Sequence, residues 1–154
     1  KEVHCDSGGK TLNLLDVGSG AGFPGVVLSI MVNTEKIPIN IVLVDSNRKK
    51  SLFLESIKKE LGVSYTVVNK RSENINQKFD IITARAVTSL KSFLNLNYNL
   101  IRKESILVLF KGRKWKEEVN ESKKKWNFDL NVVKNDIQID STGGVTLVIR
   151  NLKK

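Results

Sequence analysis

Between Asp16 and Gly25 the chain reads Asp-Val-Gly-Ser-Gly-Ala-Gly-Phe-Pro-Gly, an acid followed by four closely spaced glycines. Glycine lets a backbone turn sharply and lie close against a ligand. A helix that starts behind such a loop presents free N–H groups and a partial positive charge, which together hold an anionic or carboxylate-bearing cofactor. Gly18, Gly20 and Gly22 are therefore candidate cofactor contacts. Asp45 stands 20 residues past Gly25, where an acid accepts hydrogen bonds from both ribose hydroxyls of a nucleoside. The competing role for Asp45 is to cap the helix that starts near Asn47, a task Ser46 could serve equally. Ser72 and Glu73 are candidates for the nucleobase end of the same ligand. Arg85 offers a planar fork to a carboxylate or a phosphate. Lys111 is a candidate phosphate contact.

Residues 18, 45, 72, 85 and 111 do chemistry together only if the fold brings them to one edge. The hydrophobic pattern supplies such a fold. Thr11–Val17, Ile39–Asp45, Tyr65–Asn69, Phe79–Thr83 and Ser105–Phe110 read as short buried strands. Phe23–Val32, with Pro24 in its first turn, Asn47–Leu61, with Gly62 as its C-terminal cap, and Ser89–Ile101 read as helices. Trp115–Lys125 reads as a basic helix. Strands separated by helices build a parallel sheet through right-handed crossovers. Phe128–Val133 and Val145–Ile149 are strands too close for a helical crossover and are expected to pair antiparallel. The expected fold is α/β, a doubly wound, mostly parallel sheet with an antiparallel hairpin at its C-terminal end. In such a sheet the carboxyl ends of neighbouring strands share one crevice, and every candidate above falls at such an end.

The chain has 154 residues with 26 Lys plus Arg against 16 Asp plus Glu, a net charge of +10. One domain over 1–154 is expected from the length. A composition of 40% apolar and 27% charged residues is that of a globular chain, which excludes a disordered one. The longest apolar stretches, such as Val26–Ile30, fall far short of the roughly 18 residues of a membrane span. No signal peptide is seen, so a cytoplasmic protein with no membrane partner is expected, and a monomer. A single cysteine, Cys5, excludes an internal disulfide framework; it precedes the first strand and is expected to be inert. No Cys/His cluster offers a zinc site, so no metal is expected.

Charge is uneven. Residues 78–154 carry 16 basic and 8 acidic side chains, against 10 and 8 in residues 1–77. Arg113, Lys114, Lys123, Lys124 and Lys125 are interleaved with Trp115 and Trp126. Such a mixture suits single-stranded RNA, with charge tracking phosphates and rings stacking on bases. The alternative is a solvated amphipathic helix with both tryptophans in the core.

Two cofactor classes suit the glycine loop. Gly20-x-Gly22-x-x-Gly25 matches a dinucleotide fingerprint; Gly18-x-Gly20-x-Gly22 after Asp16 matches the S-adenosylmethionine loop of Rossmann-like class I methyltransferases. The short chain and the closing hairpin favour the second. Thr83-Ala84-Arg85-Ala86 after the fourth strand differs from the Asp/Asn-Pro-Pro-aromatic motif of exocyclic-amine methyltransferases. A dinucleotide-binding regulatory module without RNA activity is the alternative, and a catalytically incompetent RNA-binding fragment is a third reading.

From Leu14 to about Lys116 the sequence resembles the glucose-inhibited division protein B family, methyltransferases that act on guanine N7 in small-subunit (16S) ribosomal RNA. The resemblance is carried by Leu15–Gly25, by Val44-Asp45-Ser46 with Arg48-Lys49-Lys50 and Phe53-Leu54, and by Arg71-Ser72-Glu73. Phe79-Asp80, Ala84-Arg85-Ala86-Val87, Leu90 and Phe110-Lys111-Gly112 continue it, and Val148-Ile149-Arg150 agrees more weakly. It implies S-adenosylmethionine binding at Gly18, Phe23, Ser72, Glu73 and Arg85, with Asp45 on the ribose; Ser46, beside Asp45 in the same motif, is a further cofactor-binding candidate. It implies as target a guanine in the decoding-region hairpin loop, in the RNA or in a ribosomal subunit precursor. Ser72 stands where the family usually has Ala or Val, which a backbone contact tolerates. The family's amino-terminal helical segment is expected to be absent.

Overall fold

Leu14 and Leu15 are neighbours in sequence, both buried, and they enter two different cores. Strands covered on both faces behave this way, and they set the architecture of the computed structural model, which describes residues 9–134 and 144–154. Cys5 and most of the Lys134–Gly144 connection lie outside the described residues. In chain order the elements are β1 (Leu12–Val17), α1 (Gly25–Thr34), β2 (Ile39–Val44), α2 (Arg48–Leu61), β3 (Thr66–Val68) and β4 (Phe79–Arg85). Then come α3 (Leu90–Asn97), β5 (Ile101–Lys111), α4 (Trp115–Lys123), β6 (Asn127–Lys134) and β7 (Val145–Lys153).

The sheet order is β3-β2-β1-β4-β5-β7-β6. The first five strands are parallel; β7 pairs antiparallel with both β5 and β6. This is the Rossmann-like sheet with a closing hairpin expected from the sequence. Helices α1 and α2 cover one face through Val26, Leu54 and the strand residues Leu14, Ile41 and Leu43. Helices α3 and α4 cover the other through Leu90, Phe93, Leu94 and Val119, packed on Leu15, Ile82, Leu107 and Leu147. Strand order reverses between β1 and β4, so a crevice opens at their carboxyl ends.

Helix boundaries differ from the sequence expectation, most clearly at the start of α1 and the end of α3; α4 also ends two residues early, at Lys123 instead of Lys125. Helix α1 starts at Gly25, not Phe23, because Gly18, Gly20 and Gly22 all take positive φ and hold the preceding chain out of helical geometry. Helix α3 stops at Asn97 instead of running to Ile101. The Asn97 side chain donates to the Phe93 carbonyl at 2.9 Å, a single 3₁₀ turn follows over Tyr98–Leu100, and Ile101 already belongs to β5.

Candidate cofactor crevice and its surroundings

The glycine loop is wired to the strand ends by two buried carboxylates. Asp16, 1% exposed at the end of β1, accepts the Gly25 N–H at 3.2 Å and the Thr83 hydroxyl at 2.7 Å. Burial pushes its carboxyl above the ordinary range, although hydrogen bonds from Thr83, Ser19 and Gly25 and the charge of Arg85 pull the other way. Asp45, just past β2, accepts the Gly20 N–H at 3.0 Å and the Asn47 N–H at 2.8 Å. A carboxylate has about four acceptor sites, so Asp45 keeps capacity for ribose hydroxyls while it fixes the loop. Asn47, not Asp45 or Ser46, caps α2, accepting from the Lys49 and Lys50 N–H groups.

Gly25 has a packing reason of its own. A Cβ there would stand 2.2 Å from Leu43 Cδ2 and 2.7 Å from Asp16 Oδ2, so α1 approaches the sheet only through glycine. The x-x-Gly25 part of the dinucleotide pattern is thus explained without a dinucleotide. At Gly18 a Cβ would meet Val87 Cγ2 at 3.0 Å, which closes the loop against the segment after β4.

A cavity of about 230 Å³ lies at these strand ends. It is lined by Gly18, Asp45, Ser46, Ser72 and Glu73, all expected from the sequence, and by Lys70, Val87, Thr88 and Asn97, which were not. Phe23 and Arg85 are not part of that lining. Phe23 is 52% exposed, and the Arg85 guanidinium carbon lies 5.4 Å from its ring centroid. The ion pair that Arg85 could have made with Asp80 is taken by Arg102 at 3.2 Å.

Lys111 is a correction. Its side chain is 11% exposed; Nζ sits 2.8 Å from Glu118 Oε2 and also donates to the Thr88 carbonyl. The same Glu118 oxygen accepts the Leu90 N–H at 2.7 Å. Lys111 is therefore committed to tying β5, α4 and the 86–90 segment together, and it presents no free ammonium to a phosphate or guanine. Of the two readings of the tryptophans, the structure favours the core: Trp126 is 3% exposed and lies 4.9 Å from the Tyr98 ring, and Trp115 packs half-buried on the same core. Arg113 and Lys114 follow β5 at the crevice end and are exposed. Lys123, Lys124 and Lys125 lie at the opposite end of the sheet, away from the crevice. Among the described residues, no group of three His, Cys, Asp or Glu side chains could hold a metal ion, and no helix is long and apolar enough to cross a membrane.

Loop, acid and sheet reversal together define a Rossmann-like methyltransferase. The fold matches an S-adenosylmethionine-dependent methyltransferase from Clostridium acetobutylicum with a TM-score of 0.67 at 13% identity, over 92% of this chain and 84% of that one. Residues 3–142 match the model of the GidB family, described as rRNA small subunit methyltransferase G, and the chain belongs to that family. It is 35% identical to the ribosomal RNA small subunit methyltransferase G of Rickettsia prowazekii over 94% of this chain and 71% of that protein. With the protein of the same name from Bartonella tribocorum it shares 38% identity over 93% of this chain and 67% of the relative. The chain is thus an S-adenosylmethionine-dependent methyltransferase, and the dinucleotide reading falls away.

The crevice fits that cofactor. Asn97 is 1% exposed, and its Oδ1 has no hydrogen-bond partner. Asn97 lines the cavity, and its unfilled acceptor suits a ligand carrying an amine donor, as adenine does. Ser72 and Glu73 border the same cavity, Asp45 has acceptor capacity for the ribose, and the N-terminus of α1 lies behind the loop for the carboxylate.

Proposed function

We propose that this chain methylates N7 of a guanine in the decoding-region hairpin loop of small-subunit ribosomal RNA, in the cytoplasm. S-adenosylmethionine supplies a methyl group on a positively charged sulfur, and transfer is an in-line displacement. Guanine N7 has a free lone pair and no proton, so no base is needed before attack. The protein's work is positioning and electrostatics. The residues present suit this division of labour. Asp16 and Asp45 accept N–H and O–H donors from the protein and serve as girders, not bases.

Arg85 is the observation that carries the reading. It stands at the carboxyl end of β4 over Phe23, with no hydrogen-bond or ion-pair partner among the described residues. Its guanidinium is available to guanine O6, to an RNA phosphate or to the cofactor carboxylate. Arg113 and Lys114, at the same end of the sheet, would meet flanking phosphates.

The test is transfer of labelled methyl from S-adenosylmethionine to unmodified small-subunit RNA, followed by mass analysis of the nucleosides. One 7-methylguanosine per RNA is expected. Arg85→Ala should lower kcat by about a hundredfold, the scale for losing one preorganised electrostatic donor. Methyl on another atom would overturn the target, and wild-type turnover by the variant would overturn the role of Arg85.

A further inference from the structure

The basic residues of the second half divide between opposite ends of the sheet. Val145 pairs with Lys111 at the crevice end, whereas Asn127 pairs with Lys153 at the other. From Val145 to Lys153 the strand covers roughly 26 Å at about 3.3 Å per residue. Lys123, Lys124 and Lys125 directly precede Asn127, so they share the far end with Lys153 and Lys154.

There Lys123, Lys124, Lys125 and Lys154 line a concavity of about 370 Å³ whose walls include Trp126 and Phe128. Both rings are buried, and the lysines are held beside them: Lys123 Nζ lies 5.9 Å from the Phe128 ring centroid and Lys125 Nζ 5.8 Å from that of Trp126. Lys125 also donates to Asn95 Oδ1 at 3.0 Å, a neutral partner that leaves its charge intact. Glu121 compensates Lys124 at 2.6 Å, but Lys123 and Lys125 have no carboxylate partner among the described residues. The C-terminal end of α4 attracts cations and accounts for Lys123. It does not account for Lys125, Lys153 and Lys154, which lie beyond the helix. Positive charge gathered and partly immobilised in a concave surface suits a sugar-phosphate backbone.

We propose that this cluster is a second docking point for the RNA substrate, gripping its backbone roughly 26 Å from the strand ends where the target guanine is methylated. The inference rests on the RNA reading above. The target loop occupies the crevice, so the far cluster engages a separate segment of a folded RNA or subunit.

The experiment compares the wild type with Lys123→Glu/Lys125→Glu on two RNAs, a short hairpin carrying the target loop and the complete small-subunit RNA. Each lost phosphate contact should flatten the salt dependence by about 0.7–0.9, so two contacts make the wild-type affinity fall about eightfold further than the variant's between 50 and 200 mM salt. That difference is expected on the complete RNA only, with hairpin binding, kcat and S-adenosylmethionine affinity unchanged. Equal slopes on both RNAs overturn the second docking point, and an equal loss on both RNAs overturns its separation from the crevice. Lys153→Glu/Lys154→Glu, on β7 and past it, gives an independent variant should the first fail to fold. Absence of methyl transfer by the wild type would refute the RNA reading itself, which separates the two failures.

Discussion

Replacing Asn97 by leucine should make the protein more stable and its hold on S-adenosylmethionine weaker. Asn97 Nδ2 donates to the Phe93 carbonyl, which can only accept, so the amide cannot be turned and Oδ1 faces away without a partner. An unpaired buried acceptor costs about 1–3 kcal/mol, whereas the one hydrogen bond made by the amide returns about 0.5–1.5 kcal/mol. Leucine has the same branched outline and removes both contributions, a net gain of about 1 kcal/mol. In a chain of this length that raises the melting midpoint by about 2–4 °C. With cofactor the sign reverses. If the adenine amine fills Oδ1, losing that hydrogen bond costs about 1 kcal/mol, or about fivefold in Kd. Thermal melts of the free protein and calorimetric titration with S-adenosylmethionine measure the two effects separately. A variant that melts lower and binds with wild-type affinity would refute the reasoning, because the amide would then be only a helix-ending device.

Three further outcomes are expected. Glu118→Ala leaves the Lys111 ammonium nearly buried and the Leu90 N–H without its acceptor, which should cost about 2–3 kcal/mol in denaturant unfolding. Because Val87 and Thr88 line the crevice, the KM for S-adenosylmethionine should rise, and Glu118→Gln, which keeps an acceptor, should restore most of both; no recovery would argue against the tie. Burial raises the Asp16 carboxyl, so the folded protein holds its proton at pH values where the unfolded chain has lost it. Stability contributed by Asp16 therefore falls as pH rises from 3.8, its ordinary value, through the raised folded value. Asp16→Asn can accept from Gly25 and donate to Thr83, and its unfolding midpoint should lose that slope above pH 3.8; parallel pH profiles would count against it. The Glu121 carboxyl, lowered from 4.5 to about 2 by Lys124 and Lys91, acts in the opposite sense: its contribution is present above 4.5 and is lost as pH falls toward 2. Glu121→Gln should thus be the less acid-sensitive chain in that lower window.

Much of the fold and part of the candidate crevice's lining were legible because they are written in local signals. The alternation of short apolar runs with helical spacing places the strands. The short Lys134–Gly144 connection forces the final pair to be antiparallel, as β6 and β7 are. Gly18 and Asp45 directly follow β1 and β2, Ser72 and Glu73 lie in the turn after β3, and in a doubly wound sheet strand ends converge whatever the details of packing. Asn97 escaped because its helix reads as continuing to Ile101. Nothing local marks an asparagine whose amide ends the helix and which lines the cavity.

The charged residues show where such reading stops. Arg85 and Lys111 look alike in sequence, each a cation closing a parallel strand at the crevice. What separates them lies elsewhere in the chain. Glu118, on α4, binds Lys111, while Asp80, the carboxylate nearest Arg85 in sequence, is already held by Arg102. One cation becomes a strut, and the other lies over the Phe23 ring without a carboxylate partner among the described residues. The lysine run behaves the same way: it continues from Arg113 and Lys114 in sequence, yet α4 carries it along the sheet to the opposite end. A helix of nine residues is long enough to separate two halves of one basic segment into two surfaces. Composition reports that the positive charge exists, and only the topology reports that an RNA must reach across the molecule to meet all of it.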